Sequence, residues 1–360
     1  MVVPGSIPKM IRSTAMFEKM KNLSKVRKIL NLLIQVLIFG ATYLFIYQQV
    51  FLKTDMPGLV KSFEEDLSKP GFVPQLLFIL LLMIFNWGIE AMKWKILIDK
   101  VEKVSYVRAL QAVLTGVSIS SFTPNRVGEY FGRVFILRHA SHIEGILITI
   151  LGSMGQLLIT VLAGTIALVI FIPHYIPEAY YAHGYVYYGV VALVITLDLL
   201  LLGLFFNVSF LSTLKEKILR NGLKKFRRFF RVFAFYHNRE LGIVLLLSLL
   251  RYIIFSTQFW LLLRLFEVPV PFFSAQVLIS LIFFIMAAIP TIALTELGIR
   301  GSVSLYFFGM YLSYYFPVTG CFNLGIFSAS ILLWMINLGL PALIGTIFVF
   351  RLQFFRKTTQ

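Results

Sequence analysis

Long apolar runs, broken at intervals by short charged stretches, set the pattern of this chain. The runs 31–52, 72–92, 143–172, 185–206, 241–264 and 322–350 are each long enough to cross a bilayer whose apolar core is roughly 30 Å thick. Two others stop short. Residues 109–122 are apolar or small, then give way to Thr123-Pro124 and a charged stretch ending at Arg138-His139. Residues 272–290 meet a second polar break over 290–301, and 302–316 then resumes the apolar pattern. Both ends of the first short unit are basic, which fits a hairpin that enters and leaves on the same side. Non-helical backbone at such depth is tolerated only inside protein or against a wet cavity. The predicted fold is an all-α polytopic membrane protein, with roughly six to eight transmembrane helices and one or two re-entrant broken hairpins. A competing count makes 272–290 and 297–316 two full spans.

The order of elements repeats. Span, span, broken hairpin, span describes the first half, and the same series starts again at Tyr185 with opposite orientation. The two hairpins begin with Gln111 and Gln276 and break at Pro124 and Pro290. This order predicts an inverted repeat, whose paired discontinuous helices place a site near the midplane.

Composition agrees with the pattern. The 360 residues are 59% hydrophobic and 14% charged, with mean hydropathy +0.86, which excludes an ordinary soluble domain. The net charge of +17 is concentrated in a few loops, so it reads as membrane topology and anionic headgroups, not nucleic acid. Residues 1–30 carry seven Lys/Arg and one acid, and 208–239 carry nine and one. Residues 173–184 carry no Lys or Arg. The positive-inside bias therefore puts both termini and 208–239 in the cytoplasm. The domain division is a basic cytoplasmic segment 1–30, a transmembrane domain 31–350 and a cytoplasmic tail 351–360. Within 208–239, Leu219, Leu223, Phe226, Phe230 and Phe233 share one face, which predicts either an interfacial amphipathic helix over 211–235 or a basic loop that merely sets topology. Lys93-Trp94-Lys95 reads as an interfacial anchor closing the second span. Glu90, one turn beyond Asn86, reads as a glutamate that snorkels or pairs with lysine. Asp198 is a lone acid within a span, expected to find a partner elsewhere in the bundle that the sequence does not name.

The candidate site is 122–133. Thr123 is placed to cap a helix and Pro124 to open it. Arg126, Glu129 and Arg133 then recur on one helical face. Gly128 and Gly132 leave backbone free for close packing or a ligand. A helix N-terminus beside two guanidiniums suits an anionic group such as a lipid phosphate. The plainer alternative is that Arg133 pairs with Glu129 and merely holds the bundle.

Lys93-Trp94, then Thr123-Pro124-x-x-x-Gly128-Glu129-x-x-x-Arg133, then Pro290…Leu297-Gly298-Ile299-Arg300 resembles the lysylphosphatidylglycerol synthase transmembrane-region family. The resemblance covers roughly residues 25–350 and implies a flippase-like module, here expected to stand alone without an aminoacyltransferase domain. The family pattern has Gly-Gly before Leu-Gly and Glu after Ile-Arg, where this chain has Thr295-Glu296 and Gly301.

Three functions are weighed. The first is a lipid flippase of the plasma membrane for an anionic or headgroup-modified lipid, with no cofactor and no enzymatic step. Arg126 and Arg133 would bind phosphate, Glu129 would orient them, and Glu296, Gly298 and Arg300 would serve the opposite gate. Thr123 and Gly128 would complete the binding site. No Gly-x-x-x-x-Gly-Lys-Ser/Thr motif is present. The second is a lipid-modifying enzyme, but the four aspartates, Asp55, Asp66, Asp99 and Asp198, are scattered. His139, His142 and Glu144 are the nearest approach to a base or ligand set. The third is a scaffold subunit. Expected partners are membrane lipids, a second copy of the chain or a lipid-modifying enzyme.

Overall fold

The computed structural model describes residues 69–121, 123, 126–175, 185–207, 231–289, 293–316 and 322–349, with scattered helical positions between 26 and 44. Helix α1 is Phe72–Ile98, α2 Tyr106–Ser120, α3 Gly128–Val134, α4 His142–Tyr175 and α5 Tyr185–Phe206. Helix α6 is Asn238–Leu265, α7 Phe272–Ala288 and α8 Ala293–Tyr315. Helices α9, Asn323–Trp334, and α10, Leu340–Val349, are joined by a π-helical turn, Met335–Gly339, into one long rod. Among the described residues no strand occurs, and five helical units (α1, α4, α5, α6 and the α9–α10 rod) are long and apolar enough to cross a membrane. The predicted span 31–52 lies mostly outside the described residues, as do 1–25, 208–230, Pro124, Pro290 and 351–360. The predicted amphipathic helix 211–235 therefore has only its end described, as the 3-10 turn Arg231–Phe235.

The helices pack as an inverted repeat packs. One step in sequence carries α1 onto 239–265, α2 onto 273–287 and Gly128 onto Thr295, so α1, α2 and α3 fall on α6, α7 and the start of α8. Helices α1 and α6 run antiparallel. Gln75 Nε2 donates to the Leu261 carbonyl at 2.8 Å, and Gln258 Nε2 to that of Ile79 at 2.9 Å. The pair is pinned at one end by Lys69–Glu267 (2.8 Å) and at the other by Lys100–Glu240 (2.5 Å). The remaining partners are exchanged. The first half's α4 packs on α7, while the second half's α10 packs on α2. Gly164 on α4 faces Phe284, and Gly345 on α10 faces the Leu114 carbonyl and Ser118. Small residues let backbones approach where apolar lipid offers no driving force of its own.

The first hairpin closes on itself. A Cβ on Gly132 would stand 2.6 Å from Gly116 Cα, so α2 and α3 cross in backbone contact. Its base is clamped by Glu102, whose carboxylate accepts the N–H groups of Arg138, His139 and Ala140 at 2.7–3.0 Å. The chain thus returns to the level at which it left. Burial pushes the Glu102 carboxyl up, but the three donors outweigh it and hold it below its ordinary value of 4.5. A lowered folded-state pKa adds stability above the ordinary value and loses it as pH falls through the lowered one. Glu102→Ala leaves three N–H groups without that acceptor and is expected to cost about 2 kcal/mol at neutral pH. In acid the wild type should fall toward the variant, as thermal unfolding in detergent would register.

Several sequence expectations are corrected. Helix α1 runs six residues past Met92 to Ile98, and Lys93 and Trp94 are core residues, 1% exposed each, not an interfacial anchor. Trp94 Nε1 donates to Thr149 Oγ1 at 3.0 Å. Helix α3 starts at Gly128, so Thr123 does not cap it and Arg126 precedes it. Arg126 sits at φ 55°, a left-handed conformation that takes it off the α3 face bearing Glu129 and Arg133. In the second hairpin, Leu297–Gly301 is helical within α8, not part of a break, and α7 ends at Ala288. One expectation is met: the partner of Asp198 elsewhere in the bundle is Thr165, whose Oγ1 on α4 donates to it at 2.9 Å.

Candidate functional site: two charge clusters around a cavity

The C-terminal half of α1 repeats polar residues at helical spacing. Asn86, Trp87, Glu90 and Lys93 lie along adjoining turns. Glu90, 4% exposed, is the hub of the first cluster. Its carboxylate meets Lys93 Nζ at 2.8 Å, Arg133 Nη1 at 2.7 Å and the Arg251 guanidinium from α6. Arg133 also pairs with Glu129 one turn back. Arg251 is held further by Asn86 Oδ1 at 3.0 Å and Gln156 Oε1 at 3.2 Å, and lies 5.6 Å above the Trp87 ring. Three cations therefore share two carboxylates.

The second cluster joins the hairpins. Arg126, in the turn between α2 and α3, reaches Glu296 in the first turn of α8, with Nη2 at 2.7 and 2.9 Å from the two carboxylate oxygens. Arg300 Nη2, one turn along α8, meets the same carboxylate at 2.6 Å. Two guanidiniums share one carboxylate that sits at the favourable end of its helix. Counting both clusters, five cations face three carboxylates.

A cavity of about 580 Å³ lies between the clusters. Arg126, Glu296, Arg300, Arg251, Asn86 and Gln156 form its polar lining. Tyr252, Phe255, Phe283 and Met286 make an apolar lining from α6 and α7. Asn337, in the π-helical turn, also lines it and accepts from Asn86 Nδ2 at 3.3 Å. A π-turn interrupting a helix at such a place is common at functional sites. The combined lining matches an amphiphile, with charge for a headgroup and aromatic surface for a chain.

The predicted site residues divide. Arg126, Glu296 and Arg300 line the cavity together. Glu129 and Arg133 join the Glu90 cluster. Thr123 and Gly128 serve the hairpin itself, since Thr123 Oγ1 accepts the Gly128 N–H at 2.9 Å. That N–H is not offered to a ligand. Gly128 also packs against the Ile119 carbonyl, where a Cβ would stand at 2.5 Å. Gly298 is exposed, with open space beyond it. Sequence reasoning missed Glu90 as a hub, and it missed Arg251 altogether. The signal was present: Arg251 is the single charge between Leu241 and Arg264 in an otherwise apolar helix, and an intramembrane arginine marks function by default. Among the described residues, no three His, Cys, Asp or Glu side chains gather to hold a metal ion. His139, His142 and Glu144 form no such set.

Apolar helices in mutually inverted sets, with ionised residues gathered where two broken hairpins meet, define an integral membrane protein with a charged interior. The family model for the lysylphosphatidylglycerol synthase TM region matches residues 29–322, and the chain belongs to that family. Membership makes it a membrane protein of lipid metabolism or transport. Comparison with curated proteins and with solved structures gives no significant match.

Proposed function

We propose that the protein is a lipid transporter of the plasma membrane, translocating an anionic or headgroup-modified phospholipid without enzymatic modification. One observation carries the reading. The cavity between the hairpins is cationic where Arg126, Arg251 and Arg300 line it, and aromatic where Tyr252, Phe255 and Phe283 do. A headgroup would travel along the charged lining while its chains remain against the apolar one. The hairpins are read as re-entrant, and both termini as cytoplasmic. External thiol labelling should then reach cysteines placed in 173–184 and miss those in 208–239. The lipids are the expected partners, alongside a second copy or a lipid-modifying enzyme.

The test is reconstitution of the purified protein in liposomes carrying fluorescent phosphatidylglycerol or phosphatidylcholine. The anionic lipid should cross faster than in empty liposomes, and faster than the zwitterionic one. Arg300→Gln should remove most of that difference. Equal rates with and without protein would defeat the proposal.

A further inference from the structure

The two hairpins share a Glu–Arg pair at one sequence step but are unequal in charge. The step that superposes the repeats carries Glu129 onto Glu296 and Arg133 onto Arg300. Both pairs form within their helices, one turn apart. In the first half, Glu90 adds a second carboxylate to Arg133 at 2.7 Å. The same step carries Glu90 onto Thr257, flanked by Ser256 and Gln258, so the second half supplies no acid there. Arg300 is 7% exposed, lines the cavity, and its buried Nε has no hydrogen-bond partner. Glu296 must instead serve two guanidiniums, and one of them, Arg126, comes from the other hairpin. The Arg126 side chain is 42% exposed and is carried on a left-handed residue. It is the accessible member of the latch. Its backbone conformation is one that a non-glycine residue holds only when its surroundings enforce it.

We infer that Glu296 stands in for the ligand. A singly charged phosphate group entering the cavity takes its place between Arg126 and Arg300, and this exchange unlatches the hairpins. The inference rests on the transport reading and names the step that couples binding to opening. A phosphodiester presents two free oxygens as a carboxylate does, so it can accept from Arg126 Nη2 and Arg300 Nη2 in the place of Glu296. It also separates the helices that Glu296 and Arg126 now join. A ligand moves such an equilibrium only through its different affinity for the two states. Here the difference arises because the phosphate reaches Arg300 without tying it to the first hairpin. The anion has two sources, an anionic lipid headgroup or free phosphate, and the test separates them.

Spin labels are placed at Val127→Cys and Gly298→Cys, both exposed and beside the latch, in a Cys321→Ser background. Inter-label distances are measured in nanodiscs of phosphatidylcholine, phosphatidylcholine with inorganic phosphate, and phosphatidylglycerol. A longer distance should become the major population in phosphatidylglycerol. Its appearance with inorganic phosphate as well would assign the site to free anion. Glu296→Gln should adopt the longer distance in phosphatidylcholine alone, and Arg300→Gln should lose the response to phosphatidylglycerol. One short distance in every lipid, with Glu296→Gln also unmoved, would overturn the inference. Opening without lipid flux in liposomes would refute transport while leaving the exchange intact. Flux without opening would do the reverse.

Discussion

Glu90→Leu is expected to destabilise the protein by about 3–5 kcal/mol, enough to prevent recovery of folded protein from the membrane. Lys93 and Arg133 are 1% and 2% exposed, and Arg251 points to the same carboxylate. Removing Glu90 would leave three buried or half-buried cations with one remaining carboxylate, Glu129, which pairs with Arg133. Desolvated like charges then repel one another at low effective dielectric. Glu90→Gln keeps the volume and still loses the charge, so it should be nearly as damaging. Glu90→Asp should recover part of the loss. Arg133→Gln should cost less than either, because Lys93 and Arg251 continue to neutralise Glu90. Detergent-solubilised yield and thermal unfolding would rank the four variants. A well-folded Glu90→Leu protein, as stable as the wild type, would show that the cluster is not the hub described. The same geometry revises an expectation from sequence: Glu129 and Arg133 are no self-contained pair, so neutralising both would leave Glu90 one partner short.

Gly345→Val is expected to abolish folding, and Gly345→Ala to cost about 1–3 kcal/mol. A Cβ at Gly345 would overlap the Leu114 carbonyl, with the carbonyl carbon at 2.6 Å, and would crowd Ser118 Oγ. Backbone atoms inside a packed hairpin cannot move aside. The contact also carries the hydrogen bond from Ser118 Oγ to the Ala342 carbonyl, 2.6 Å, which separation of α2 and α10 would break. A glycine in open space makes the control. At Gly309 on α8 an added Cβ would meet nothing within 4 Å. Gly309→Ala should therefore be the milder substitution, and thermal unfolding of the two alanine variants compares them directly. Equal tolerance of both would mean that α2 and α10 do not pack backbone to backbone.

Most described span boundaries were legible to within about three residues, the end of α1 excepted. The run 185–206 is helix α5, and 272–290 contains α7. The order of elements anticipated the antiparallel packing of α1 on α6, which an inverted repeat requires. The charged interior was less legible. Lys93 and Trp94 look like an interfacial anchor because local hydropathy cannot distinguish a cation in water from one paired across helices. Their true setting depends on Arg133, 43 residues from Glu90, and on Arg251, 161 residues away. Arg126 was found, but its partner Glu296 lies 170 residues on, and no local pattern pairs them. The turn before α3 was misplaced for a related reason. Thr123 and Pro124 carry strong start signals, yet the backbone contacts of Gly128 and Gly132 with α2 fix where the returning helix begins.

The central claim is that the two hairpins must part for lipid to cross. A reducible bifunctional thiol crosslinker, its arm matched to the distance between Val127→Cys and Gly298→Cys in the Cys321→Ser background, tethers the hairpins beside the Arg126–Glu296 latch in reconstituted vesicles. Flux of fluorescent phosphatidylglycerol should fall to the empty-liposome rate while the bridge is intact, and return when the same vesicles are reduced. An unchanged rate with the bridge in place would contradict the account.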